Sequence, residues 1–283
     1  MFLFKLLSRL PLALLYLLSP LVYYVTYHTL GRRKNLLFDN LRQCFPEKSE
    51  DEIVALAKQN FRNFSDVLIE MLKGISMSNE EILRRVEVQN LEPLIEYATQ
   101  KRPMLLLAGH HCNWDWVLLA ACLRLPFPVD AVYKPLAADM FERLLLEGRE
   151  RLGSRLIAPE NFIAEIIKRR GQAVAYAMVA DQTPVREEEK CWATFLNRDT
   201  AFFVGADKIA RMTRAPVFFV AIRRVSRGRY QAQVSELARP PFDPEGYPVM
   251  ERYVRALEAM VLEHPADWLW AYNKWKYKKP LYE

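Results

Sequence analysis

From residue 86 onward the chain alternates short runs of β-forming apolar residues with segments of helical period, and this alternation restricts the fold more than any other feature. The runs are MLLLA (104–108), VDAVY (129–133), AVAYAMV (173–179), PVFFVAI (216–222) and YQAQV (230–234). Helical stretches such as Met140 to Leu152 and Asn161 to Arg170 lie between them. Strands separated by helices pair in parallel, because each connection must cross a face of the sheet before the next strand can begin. The expected fold class is α/β, with a largely parallel central sheet flanked by helices. Reactive groups in such sheets collect beyond the carboxyl ends of the strands.

Upstream the pattern is helical. Ser49-Glu50-Asp51-Glu52 is a capping-box signature, and Ile53, Leu56, Ala57, Phe61, Phe64, Val67, Leu68 and Met71 follow at helical spacing. Ser78-Asn79-Glu80-Glu81 starts a second helix in the same way. Earlier still, LPLALLYLLSPLVYYVTYHTLG between Arg9 and Arg32 carries no formal charge and is about long enough to cross a bilayer. Pro20 in its middle predicts a kink. Lys5 and Arg9 on one side face Arg32, Arg33 and Lys34 on the other, so the basic flanks set no orientation and suit equally a helix that dips into one leaflet. A buried core helix is the alternative; the basic flanks and interleaved tyrosines favour the membrane. The expected organisation is an N-terminal membrane anchor over 1–34, followed by a single α/β domain over 35–283 whose first part is helical.

With 51% hydrophobic residues in 283, the chain can fill a substantial core. Its formal net charge of +6 fits nucleic acid, an anionic membrane or an acidic substrate alike. The charges are spread thinly and no nucleic-acid module is recognisable, which argues against the first. Cys44, Cys112, Cys122 and Cys191 are far apart with no C-x-x-C pair, so neither a zinc ribbon nor a disulfide framework is expected, and a reducing compartment fits best.

The chemistry concentrates in LLLAGHHCNWDW, residues 105–116. If Met104 to Ala108 is a strand and Gly109 permits a sharp exit, the two histidines, Asn113 and Asp115 lie at the rim of the sheet. On one continuous helix His110 and Asp115, five residues apart, would point about 140° away from each other. With His110 in the turn and a helix beginning near Asn113, the imidazole can instead fold back onto the carboxylate. A carboxylate on one ring nitrogen fixes the tautomer and leaves the other nitrogen free to take a proton from a hydroxyl. Cys112 offers a thiol nucleophile as an alternative, and His110, His111 and Asp115 a metal site, although the spacing is unlike that of zinc sites. Trp114 and Trp116 read as core or interface aromatics. Arg149 and Arg151 read by themselves as a solvated helix face, Asp181 as the start of a turn at Pro184, and Asn197 to Thr200 as a turn before a helix capped by Thr200.

Taken in order, GHHCNWDW, VYKPLAADMFERLLLEGRERLG, MVADQTP, FLNRDTAFFVGADKIARMTRAPVFFVAIRRV and HPADWLWAYNKWK resemble the blocks of the lipid A biosynthesis acyltransferase family. These are lauroyl and myristoyl transferases of the lysophospholipid acyltransferase superfamily, and the texture is most similar to Bacteroidetes-type members. The likeness covers nearly the whole chain. It implies an acyltransferase at the cytoplasmic face of the bacterial inner membrane, moving a fatty acyl chain from acyl carrier protein to a hydroxyl of a lipid A precursor, with no cofactor. It implies His110 and Asp115 as the His-x-x-x-x-Asp/Glu pair, with Asp where some relatives have Glu. Arg149 with Arg151, and Asp181 with Gln182, are implied as substrate-binding positions. Phe202 and Phe203 are candidates for lining an acyl slot, and KWKYKK, residues 274–279, for touching headgroups. A glycerophospholipid acceptor is the same-class variant; a binding protein that keeps the fold without turnover is the alternative from another class.

Overall fold

Leu105 and Leu107 point to one face of their strand and Met104 and Leu106 to the other, and all four are buried, so this strand needs a hydrophobic layer on each side. A computed structural model, describing residues 2–29, 31–133 and 139–279, supplies both layers. The N-terminal helices are α1 (Phe2–Ser8), α2 (Leu12–Leu15), α3 (Ser19–Thr29), α4 (Gly31–Cys44), α5 (Glu50–Gly74) and α6 (Asn79–Arg85). Then follow β1 (Val86–Gln89), α7 (Glu92–Thr99), β2 (Pro103–Ala108), α8 (Trp114–Arg124), β3 (Val129–Val132), α9 (Asp139–Glu150), β4 (Leu156–Ile157), α10 (Phe162–Lys168) and β5 (Val174–Val179). The chain continues through β6 (Lys190–Phe195), β7 (Arg198–Phe203), α11 (Gly205–Thr213), β8 (Val217–Ser226), β9 (Arg229–Ala238) and α12 (Pro248–Glu263).

Seven strands form one sheet in the order β1-β9-β8-β2-β5-β3-β4. Every pairing is parallel except β8 with β9, which are joined by a tight turn rather than a helix. Leu105 and Leu107 pack with Tyr253 and Leu257 of α12 and with Ala57 and Phe61 of α5. Met104 and Leu106 pack with Trp116 and Leu119 of α8, Ile82 of α6 and Leu12 and Leu15 of α2. The α/β expectation holds, with two antiparallel additions.

One of these, β6–β7, occupies the segment read as a turn before a helix. Leu196 and Asn197 have φ of 51° and 63°, the pair of left-handed residues that a two-residue hairpin turn requires. Thr200 therefore lies within β7 and caps nothing.

The N-terminus also departs from expectation. The sharp change of direction is not at Pro20 but ahead of Pro11: α1 and the stretch Leu12–Thr29 are bent by 118°. Pro20 has no N–H to give the Tyr16 carbonyl, which instead accepts from Ser19 three residues on, tightening Tyr16–Leu18 into a 3-10 turn. Among the described residues no single helix is long and apolar enough to cross a membrane. Polar contacts tie the segment to the body. Lys73 Nζ donates to the carbonyls of Ser8 and Leu10, at 3.3 and 3.1 Å. Ser76 Oγ donates to that of Ser8, Tyr16 to Glu70 at 2.6 Å and Ser19 to Asp66 at 2.5 Å.

The strand register decides what meets at the rim. Ala108 at the end of β2 pairs with Val179 at the end of β5, and the N–H of Ala180 donates to the Ala108 carbonyl. His110 and Asp181 each lie two residues past these paired positions and emerge side by side.

Candidate active site

His110 is gripped by Asp181, not by Asp115. Its ring Nδ1 donates to Asp181 Oδ1 at 2.6 Å, and its backbone N–H to Oδ2 at 2.8 Å. Trp268 Nε1 completes the set, donating to Oδ2 at 2.8 Å. Burial alone would push the Asp181 carboxyl up, but the His110 ring and the hydrogen bonds from His110 and Trp268 outweigh it and hold it below the usual carboxylate range. An ionised acceptor on Nδ1 places the ring proton there and leaves Nε2 with its lone pair. The Gln182 side-chain amide is 3.4 Å from Nε2. The edge of Trp114 packs on the imidazole, with centroids 4.9 Å apart. His110 lines a cleft of about 230 Å³ empty volume, together with Asn60, Phe64 and Val67 of α5 and Leu269.

The expected His110–Asp115 bond does not form although α8 begins near Asn113 as expected: His110 Nδ1 is taken by Asp181 and the Asp115 carboxylate by Arg149. Asn113 is the N-cap, its side chain accepting from the Trp116 N–H at 3.0 Å, so Asp115 already belongs to the helical first turn. Its carboxylate is taken up by α9: Arg149 Nε and one terminal nitrogen lie 2.7 and 2.6 Å from Asp115 Oδ1. Among the described residues, Asp115 Oδ2 is buried without a hydrogen-bond partner. The pair borders a second cleft of about 250 Å³ between α5, α8 and α9. Arg151 is not part of this arrangement. Its guanidinium donates to the carbonyls of Gly74 and Met77, at 3.3 and 2.6 Å, closing the carboxyl end of α5.

The turn itself differs from expectation. Gly109 is not in the left-handed region; that role falls to Cys112, with φ of 52°. Gly109 is small because of crowding: a Cβ there would come 2.5 Å from Leu257 Cδ1 and 3.4 Å from Asp181 Oδ2. Gly109→Ala is expected to lower stability by about 1–3 kcal/mol by overpacking this corner, measured by chemical denaturation. Cys112 is not poised as a nucleophile, since burial raises its thiol pKa well above the ordinary value and keeps it protonated. His111 is fully buried, with Nε2 bonded to the His264 carbonyl, and burial holds it neutral. No cluster of three or more metal-ligating side chains occurs among the described residues.

The C-terminal segment proves to be part of the site's frame. The N–H of Leu269 donates to the His110 carbonyl and that of Cys112 to the Asp267 carbonyl, so an isolated antiparallel bridge between His111 and Trp268 ties residues 267–269 to the loop. Trp268 and Trp270 are buried beneath it. Within KWKYKK, Lys276, Lys278 and Lys279 are exposed but Lys274 is not. Lys274 is 1% exposed, its ammonium over the Phe202 ring and donating to the carbonyls of Ala201 and Gln182 at 2.9 and 3.3 Å. Phe202 is thus fully buried against Lys274 and does not line an open slot. A buried tryptophan needs a partner for its N–H, and that requirement was the available signal for Trp268; nothing in the sequence distinguished Lys274 from its basic neighbours.

Burial pushes the Lys274 amine from 10.5 down to about 7. The unfolded chain therefore holds one more proton than the native one between about pH 7 and pH 10.5, and stability from this group rises with pH over that window and is lost as pH falls to 7. Denaturation of wild type and Lys274→Met at pH 7 and pH 9.5 is expected to show the wild type gaining relative to the variant at the higher pH. An unchanged difference would mean that Lys274 titrates normally.

A family model described as bacterial lipid A biosynthesis acyltransferase matches residues 1–277. The lipid A biosynthesis lauroyltransferase of Escherichia coli (strain K12) is 25% identical over 272 residues, covering 95% of this chain and 87% of the relative. The palmitoleoyltransferase of the same organism is 24% identical over 255 residues, covering 87% and 80%. Its myristoyltransferase is 24% identical over 257 residues, covering 88% and 76%. Three different acyl groups thus appear in the names of relatives that are equally distant.

Proposed function

The chain belongs to the bacterial lipid A biosynthesis acyltransferase family, and on that footing we propose that it transfers a fatty acyl chain from the thioester of acyl carrier protein to a hydroxyl of a lipid A precursor, with His110 as general base. The observation that carries this reading is the 2.6 Å bond from His110 Nδ1 to Asp181. It leaves Nε2 as a base on a residue that lines an open cleft. The acceptor oxygen attacks the thioester carbonyl as Nε2 takes its proton. The tetrahedral intermediate then expels the thiolate, and the imidazolium returns the proton to sulfur. Asp181 stabilises the imidazolium formed between these steps, as the carboxylate does in other His–carboxylate pairs.

Arg149 has a different role in this scheme. Asp115 holds its guanidinium by two nitrogens, and its remaining N–H groups serve an acidic partner, either the phosphate of the donor or the developing oxyanion. Asp115 is then a positioning residue for Arg149.

The site of action in this proposal is the cytoplasmic face of the inner membrane, which agrees with four free thiols. The N-terminal helices lie in one leaflet rather than crossing it. In support, Phe2 is 82% and Leu17 74% exposed, while the polar contacts from Ser8, Leu10, Tyr16 and Ser19 to α5 and Ser76 would have to break for the segment to straighten. Cysteines introduced by Leu3→Cys and Asn35→Cys should both label from the cytoplasmic side of the membrane; labelling of only one would mean that the segment crosses.

The reading is tested by deleting the gene and weighing the cell's lipid A by mass spectrometry. Loss of one acyl chain is the expected result and reports the chain length. Unchanged lipid A with altered phospholipids would move the acceptor to a glycerophospholipid, and no change in either would remove the proposed activity.

A further inference from the structure

Glu70 is a fully buried carboxylate that the proposed chemistry does not use. It lies on α5 with no exposed surface and is surrounded by donors. Tyr16 donates to its Oε1 at 2.6 Å; Tyr230 of β9 and Asn113 donate to Oε2 at 2.5 and 2.9 Å. Arg224 lies 4.0 Å away, and the backbone carbonyl of Glu70 accepts from Trp116 Nε1 at 2.9 Å. Three stretches of chain that share no local sequence thus converge on one residue: the N-terminal segment, β9 and the start of α8, which supplies both Asn113 and Trp116.

Two of these ligands give the arrangement a direction. Tyr16 sits in the 3-10 turn of the apolar segment, between Leu12 and Leu15, which are buried in the body, and Leu17, which faces outward. Asn113 ends the loop that carries His110, and its side chain does two jobs: its oxygen caps Trp116 and its amide nitrogen donates to Glu70. The next residue, Trp114, is the ring that packs on the His110 imidazole. A burial this complete makes a lost partner expensive, so the carboxylate constrains Tyr16 and Asn113 together.

We propose that Glu70 is a positioning residue which couples the seating of the N-terminal segment on the protein body to the geometry of the His110 loop. This rests on the acyl-transfer reading of the site. An N-terminus that is properly seated, as on a lipid surface, keeps Tyr16 on the carboxylate, and the carboxylate keeps Asn113, Trp114 and the imidazole in place. Detachment of the segment removes one donor from a closed set and loosens the others.

The test uses Tyr16→Phe, which deletes one hydroxyl, and Asn113→Ser, which retains a good N-cap oxygen while losing the bond to Glu70. Full-length protein on vesicles of phosphatidylethanolamine and phosphatidylglycerol is assayed for acyl transfer. Imidazole resonances are recorded in protein labelled at its four histidines. Each single variant is expected to lose about fivefold in kcat, the scale of one hydrogen bond, with KM little changed. The double variant should lose no more than the worse single, because both act through one carboxylate. The His110 resonance should move in both singles. The coupling is overturned by additive losses, by losses confined to KM or vesicle binding, or by a His110 resonance that stays in place. Wild-type protein that transfers no acyl group would instead sink the acyl-transfer reading, and the resonances would still decide the coupling. If Tyr16→Phe fails to fold, Glu70→Gln replaces it, with the same resonance expected to move.

Discussion

Asp181→Asn is expected to lower kcat by about three to four orders of magnitude while leaving the protein folded. The reason lies in the donors around the carboxylate. Asp181 Oδ2 accepts from both the His110 N–H and Trp268 Nε1, so the single oxygen of an asparagine will take that position and its amide will face His110 Nδ1. The ring must then accept at Nδ1 and carry its proton on Nε2, the nitrogen that has to receive one. The change is almost isosteric, and its effect is on tautomer rather than packing. Single-turnover transfer measures the rate, and the imidazole resonances report the tautomer. An Asp181→Asn enzyme with near-wild-type kcat would show that Asp181 does not orient the base. Asp115→Asn provides the contrast. It should leave the tautomer unchanged and act through Arg149, so that its loss and that of Arg149→Ala do not add in the double variant.

His110→Ala is the second large effect. Removal of the base should cost about 10³- to 10⁴-fold in kcat. It also strips Asp181 Oδ1 of its partner inside a carboxylate that is 3% exposed, which should lower stability by roughly 1–3 kcal/mol. His110→Asn separates the two consequences. The asparagine side-chain nitrogen falls close to the position of Nδ1 and can donate to Asp181, yet nothing occupies the position of Nε2. This variant should recover most of the stability in a thermal melt and none of the activity. Substantial activity in either variant would assign the proton transfer to another group.

These outcomes depend on the His110–Asp181 contact, which lies beyond the reach of any local pattern. The position of His110 after an apolar strand marks it as a candidate base, and such a base calls for a carboxylate partner. The acid nearest to His110 in the chain is Asp115. Asp181 is 71 residues from His110, and the two meet because Ala108 pairs with Val179 in neighbouring parallel strands. A one-residue slip in that register would point their side chains to opposite faces. The resemblance implies substrate contacts for Asp181 and Gln182; the geometry puts Asp181 beneath the base and Gln182 beside its Nε2.

What could be read from the chain alone is what its local period dictates. The capping box at Ser49 and the apolar spacing after it are realised in α5, and the apolar runs are realised as strands of a mainly parallel sheet. A helix or strand is selected by neighbours within a few residues, so a short window contains the cause. The tertiary structure alone decided which acid reaches His110, that Trp268 braces it, that Lys274 is enclosed while the lysines around it are not, and that the N-terminal segment bends back onto Glu70. Each of these is a partnership across tens or hundreds of residues, set by strand register and by the need of buried donors and acceptors to satisfy one another once the core has closed.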